Sequence, residues 1–276
     1  MAISTDRLAT VVYDAVGLTA IAVVVAAVHL IVPASLQQLL VFDHGQFRGY
    51  TLLTAAYVHA SDAHLLQNLQ GYLRIVGFPY LFSLLNHQRR WFWRTTLALL
   101  IVLPILTSVT SYTLIPAWYP DVTPVTFGFS DVVAGFAGFL LVAVGRHTRI
   151  RHSSAAAWVV SIAGGLFVIS LVGARLAGVL DATVTASVFL GVGFILVAGG
   201  YVLQPETHRS EVSRIEWAQE GVVFGVTSVV LGALLWDLFV PLPALQSSGP
   251  TTSLTGHAAG LTWGVILAAS LVAIEE

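Results

Sequence analysis

"VTFGFSDVVAGFAGF", residues 125–139, sets a serine and an aspartate, Ser130 and Asp131, at the start of a long apolar run. Gly128, just ahead of them, permits a sharp turn that residues with a Cβ resist. Ser and Asp are also favoured N-cap residues, so the pair taken alone reads as a plain cap. Further on, Ser130, Ala134 and Gly138 fall at i, i+4 and i+8, a stripe of small residues on one helix face. In a membrane such a stripe lets another helix backbone come close. The stretch reads as a membrane-crossing helix whose first turn carries a hydroxyl and a carboxylate.

The whole chain fits a membrane. Of its 276 residues, 57% are hydrophobic and 9% charged, with a mean hydropathy of +0.85. A soluble domain carries about a quarter charged residues. The net charge of −2 gives no basic field for nucleic acid. The chain has no cysteine, which excludes disulfides, thiolate catalysis and Cys-ligated metal. A helix needs about 20 apolar residues to cross the hydrocarbon core. Eight stretches meet or approach that length, at roughly 12–32, 62–85, 93–115, 128–146, 155–177, 184–203, 221–241 and 254–273. The first is longer than a signal-peptide core and lacks a small-residue cleavage site before Pro33, so it reads as a retained helix. The expected fold is an all-α polytopic membrane protein, one transmembrane domain over residues 1–276.

Arginine sets the expected orientation. With eight spans, Arg7, Arg89, Arg90, Arg94, Arg146, Arg149, Arg151, Arg209 and Arg214 fall on one side, against Arg48 and Arg175 on the other. Positive charge favours the cytoplasm, which puts both termini there. The segment 33–61 is then external, and its interrupted apolar pattern reads as an amphipathic stretch lying in the interface.

Polar side chains in membrane helices are costly and therefore informative. In "YVHASDAHLLQN", His64 and Asn68 are spaced i, i+4 and share a face near the start of the second span, with His59 five residues before. In "TGHAAGLTWG", His257 opens the last span, and Gly260 and Gly264 form a G-x-x-x-G face below it. Each group alone has an ordinary explanation as a cap, an interfacial imidazole or a packing face. Together with Ser130 they lie at one end of three different spans, at similar depth. Packing of the two small-residue faces is expected to bring the Ser130 hydroxyl near the His257 imidazole. A nucleophile, a base and hydrogen-bond donors are the minimum set for acyl transfer.

At these residues the sequence resembles the rhomboid family of intramembrane serine proteases. The resemblance rests on His59, His64 and Asn68 in H-x4-H-x3-N, on Gly128-Phe129-Ser130 as a G-x-S turn, and on His257-Ala258-Ala259-Gly260. It implies a six-helix core over roughly 10–146 and 221–273, here with two additional helices inserted within about 155–241, and the even number keeps His257 on the side of Ser130. It implies Ser130 as nucleophile and His257 as general base, a dyad. His64, Asn68 and the Ser130 N–H would form the oxyanion hole, with His59, Gly128 and Gly260 in support. The implied activity is endopeptidase cleavage of transmembrane segments of membrane proteins near the external face, in the lipid bilayer and without cofactor or metal. The chain departs from the family pattern at Asp131, where a small residue is usual, and at Ala134, where an aromatic is common. It departs again at Tyr50-Thr51, where a Trp-Arg pair is common, and in having three helices rather than one between serine and histidine.

Two other functions compete: a non-proteolytic relative that binds transmembrane clients, and a transporter, which would need charges at mid-depth on several helices. Arg74 is the one mid-span charge, expected to bond helix carbonyls or to snorkel. Asp14 and Asp237 are expected to reach water or a cap at span ends. Trp91, Trp93, Trp118 and Tyr119 read as an interfacial belt. His147 to His152, "HTRIRH", reads as a basic loop with spare imidazoles.

Overall fold

The computed structural model describes residues 5–118, 124–178, 214–239 and 252–275. Seven long helices stand among them: α1 (Thr5–Ile31), α4 (Asp62–Leu85), α5 (Arg89–Trp118), α6 (Ser130–Arg151), α7 (Ser154–Leu176), α8 (Arg214–Leu238) and α9 (Thr252–Glu275). Between α1 and α4 lie α2 (Ala34–Leu40), the two-residue strand β1 (Phe42–Asp43), α3 (Thr51–Thr54) and a 3-10 turn (Ala55–Tyr57); β2 (Val125–Thr126) precedes α6. The protein is an all-α polytopic membrane protein. Six of the long helices are long and apolar enough to cross a bilayer; α4 is not among them. It carries His64, Gln67, Asn68, Gln70 and Arg74, which dilute its apolar content. The expected span at 184–203 lies outside the described residues.

Helix α6 is the axis of the bundle. Every residue from Val132 to Leu140 is buried, and α4, α5, α7, α8 and α9 all pack on it. The tightest approach is to α9, where small residues remove the side-chain layer. A Cβ on Gly264 would lie 2.7 Å from Gly135 Cα, and one on Gly138 would lie 2.7 Å from Val265 N. The Gly260–Gly264 face predicted on α9 makes this seam. On α6 the face is rotated from the predicted one. Asp131, Ala134, Gly135 and Gly138 meet α9. A step from 130 to 131 turns a helix by about 100°, enough to change the neighbour.

Aromatic side chains fill the next shell. Phe92, Phe136 and Phe139 pack on one another and on Tyr72, Tyr80 and Trp91. Trp91, expected in an interfacial belt, is 1% exposed, donates to Ala268 O of α9 at 3.2 Å and carries the Arg146 guanidinium over its ring. Trp93 likewise points inward, donating to Asp14 Oδ1 at 2.9 Å. The side chain of Trp118, and Tyr119, lie outside the description.

Asp14 does not reach water. It is 1% exposed and accepts from Arg89 Nε at 2.7 Å, Arg89 Nη2 at 2.6 Å and Tyr80 OH at 2.9 Å besides Trp93. A carboxylate this buried is tolerated because every lone-pair direction finds a donor. The cluster ties α1 to α4 and α5. At the same end of the bundle His147 and His152 are not spare. His147 is buried on α6 and bonds Asn86 Oδ1 at 3.0 Å; His152 meets Glu220 of α8 at 2.7 Å.

Candidate functional site

The site is assembled at the other end, where α4, α6 and α9 begin and α8 ends. The turn before Ser130 is pinned from several sides. β2 pairs antiparallel with β1, Phe42 opposite Thr126 and Asp43 opposite Val125, so part of the 33–61 segment is folded onto the bundle. The N–H of Gly128 donates to Ala55 O at 2.9 Å. Gly128 has φ +115°, a conformation that residues with a Cβ rarely adopt. Phe129 is fully buried between Tyr57 and Tyr72, its ring centroid 5.9 and 5.8 Å from theirs. Its N–H donates to His59 Nε2 at 3.4 Å. Ser130 then opens the first turn of α6, where backbone N–H groups lack intrahelical acceptors.

Across the turn, Ser61 caps α4 by accepting the N–H of His64 at 3.2 Å. This capped start presents His64 and Asn68 to Gly128. A Cβ on Gly128 would lie 2.8 Å from His64 Cε1 and 3.6 Å from Asn68 Nδ2. Asn68 is 6% exposed, yet its Nδ2 has no hydrogen-bond partner. A buried unpaired amide donor costs roughly 1–3 kcal/mol.

His257, 7% exposed, is the third wall. Its Nδ1 lies 2.7 Å from Leu238 O. A carbonyl only accepts, so the proton sits on Nδ1 and Nε2 of the neutral ring is an acceptor. That Nε2 is buried with no hydrogen-bond partner. Its nearest acidic atom is Asp131 Oδ1 at 4.0 Å. His64, Asn68, Ser130, Asp131 and His257 line one cavity of about 300 Å³, closed below by Gly71, Val133 and Leu234. The expected approach of serine and imidazole is thus a shared cavity without a hydrogen bond between them. The same cavity reaches Asp237, whose Oδ2 accepts from Arg74 Nη1 at 3.1 Å. Arg74 therefore meets a carboxylate rather than a helix carbonyl, and Asp237 bridges α8 to α4 rather than capping.

His59 sits behind the turn, 3% exposed. Its ring is edge-on to His64 at 5.2 Å and to His29 at 6.1 Å. Burial, with those two imidazoles nearby, pushes its pKa down to about 4, which keeps Nε2 free to accept from Phe129. His29 carried no signal in the sequence. It stands in the last turn of α1 and meets Asp62 Oδ1 at 2.9 Å, a pairing 33 residues apart with no helical spacing behind it. Leu238 O was equally silent, being backbone. Asp131 was visible as a departure from the family pattern, but its place beside His257 was not.

Comparison with known protein families, with curated proteins and with solved structures finds no match to this chain.

Proposed function

We propose that this chain is an intramembrane serine endopeptidase of the rhomboid type, with a rhomboid-like core among eight spans. The observation that carries the reading is the pair of unsatisfied buried groups on one cavity. An acceptor, His257 Nε2, and a donor, Asn68 Nδ2, open on the space that Ser130 lines. Unpaired buried polar atoms are costly; a reacting carbonyl oxygen would accept from the amide, and the Ser130 hydroxyl, turned to attack, would donate to the imidazole.

In this reading Ser130 Oγ attacks the scissile carbonyl carbon while its proton passes to His257 Nε2. The carbonyl π pair moves onto oxygen, where Asn68 Nδ2, His64 and the Ser130 N–H donate to it. Imidazolium then returns the proton to the amide nitrogen, the C–N bond breaks, and the amine leaves an acyl-Ser130. Water, deprotonated by the same ring, hydrolyses that ester. Leu238 O holds the tautomer throughout, a neutral acceptor standing where a triad would place a carboxylate. His59 and Gly128 hold the turn, and Gly260 keeps α9 against Asp131 O. The cavity sits at bundle ends flanked by apolar helices, so the substrate class is transmembrane segments. The arginine bias puts this end outside and both termini in the cytoplasm.

The test is covalent labelling of detergent-purified protein by a fluorophosphonate. The parent is expected to label and Ser130→Ala not to. Labelling that persists in the variant, or none in the parent, overturns the reading. A second reading, a non-proteolytic binder of transmembrane clients, draws on the unformed Ser130–His257 hydrogen bond; it predicts no labelling and no cleavage of a transmembrane reporter.

A further inference from the structure

We propose that Asp131 is a positioning residue for the imidazolium at His257, supplying from the nucleophile's side the negative charge that the ring lacks on its other side. The inference rests on the hydrolase reading. In that reading the ring must carry a positive charge between the two proton transfers, in a buried place. Its Nδ1–H faces Leu238 O, a dipole without net charge. The carboxylate is instead on the Nε2 side, Asp131 Oδ1 standing 4.0 Å from Nε2.

The placement is built by packing. Gly256 makes the room: a Cβ there would lie 2.6 Å from both carboxylate oxygens. Gly260 brings α9 down onto the Asp131 carbonyl, so the backbone of residue 131 is held against the helix that carries His257. The carboxylate lines the cavity and is 26% exposed. An ionised carboxylate has no proton to give the Nε2 of the neutral ring, so at 4.0 Å it leaves that acceptor to Ser130. It is near enough for a strong charge–charge attraction in a site of low dielectric.

Few other charges face this ring. His64 of α4 stands across the cavity, and Asp237 of α8 lines it but is paired with Arg74. β2 and the facing part of α5 contribute Thr126 and Thr107, both neutral. The imidazolium therefore has Asp131 as its unpaired counter-charge. Deprotonation of Ser130 by the ring, return of the proton to the leaving nitrogen and the later deprotonation of water all pass through that charged ring, so the carboxylate serves each step without exchanging a proton itself.

The experiment is the rate of fluorophosphonate labelling of the full chain across pH 5 to 9, for the parent, Asp131→Asn and Asp131→Glu. Asp131→Asn keeps size and removes charge. It is expected to label at least tenfold more slowly on the plateau and to shift the acid limb to lower pH, because an imidazole without a nearby anion binds its proton less tightly. Asp131→Glu is expected to restore the acid limb toward the parent's. If Asp131→Asn does not fold, Asp131→Gln against Asp131→Glu asks the same question at one side-chain length. A charge-free variant whose rate and acid limb superimpose on those of its charged counterpart overturns this inference, as does one that labels faster. Either result leaves the hydrolase reading standing so long as Ser130→Ala abolishes labelling. A parent that does not label overturns both.

Discussion

Gly128 lies against His64 with no room for a side chain between them: a Cβ on the glycine would sit 2.8 Å from the imidazole Cε1. The same residue holds φ at +115°. Gly128→Ala therefore meets two penalties, a strained backbone of about 1–3 kcal/mol and a displaced His64. We expect labelling at Ser130 to slow at least tenfold and the melting temperature in detergent to fall. A variant as fast and as stable as the parent would mean that the turn is not held by this contact.

Asn68 offers a graded test of the cavity. Removal of one oxyanion donor costs about 10²–10³ in rate where other donors remain. Asn68→Ala is expected to lose that much cleavage of a transmembrane reporter while still labelling slowly. His257→Ala, which removes the base, is expected to lose more. Equal losses from Asn68→Ala and Ser130→Ala would give Asn68 a role beyond charge stabilisation.

These contacts show what sequence can and cannot reveal here. Helical spacing made the His64–Asn68 face and the Gly260–Gly264 seam legible, because i, i+4 periodicity is a property of a single helix. Which face of α6 meets α9 was not, since the Ser130, Ala134, Gly138 stripe shares only Ala134 and Gly138 with the face that packing chooses. Partner identity was hidden for the same reason. Arg74 with Asp237, and Asp14 with Arg89, are 163 and 75 residues apart. A charge within an apolar run says only that some partner is needed, and Asp14 near a span end looked solvated until a second helix covered it. The unformed hydrogen bond of His257 is likewise a matter of angstroms between helices, which no spacing rule encodes.

The α6–α9 seam gives a prediction with its own control. Gly264→Ala would drive a methyl into the Gly135 backbone, 2.7 Å from Cα. Backbone cannot rotate away, so the helices must separate, at about 2 kcal/mol or more. Gly77 of α4 has nothing within 4 Å of an added Cβ. Gly77→Ala is expected to be neutral or to stabilise by roughly 0.5–1 kcal/mol, the ordinary helical preference. Melting temperatures that fall alike in both would locate the effect in helix propensity, not in the seam.

The Asp14 cluster should respond asymmetrically. Arg89 is 49% exposed and Asp14 1%. Asp14→Asn leaves a guanidinium that can turn to water. Arg89→Ala leaves a buried carboxylate with Tyr80 and Trp93 but no counter-charge. Breaking a buried pair from the exposed side strands the buried ion, at about 3–5 kcal/mol. Thermal unfolding is expected to show Arg89→Ala as the more damaging change. The reverse order would mean that Asp14 is neutral in the fold.

His59 links the site to pH. Its folded pKa is pushed down to about 4 from 6.5, so between those values the unfolded chain binds the proton and the folded one does not. Stability then rises with pH across this window. The contribution is complete above about pH 6.5 and is lost progressively as pH falls toward 4. Protonation also removes the lone pair that accepts the N–H of Phe129, so the turn carrying Ser130 loosens along with it. His59→Gln keeps an acceptor and does not titrate. We expect the parent's melting temperature to drop between pH 7.5 and 4.5 by clearly more than the variant's, with labelling of Ser130 following the same trend. Parallel curves for the two proteins would assign the acid sensitivity to another group.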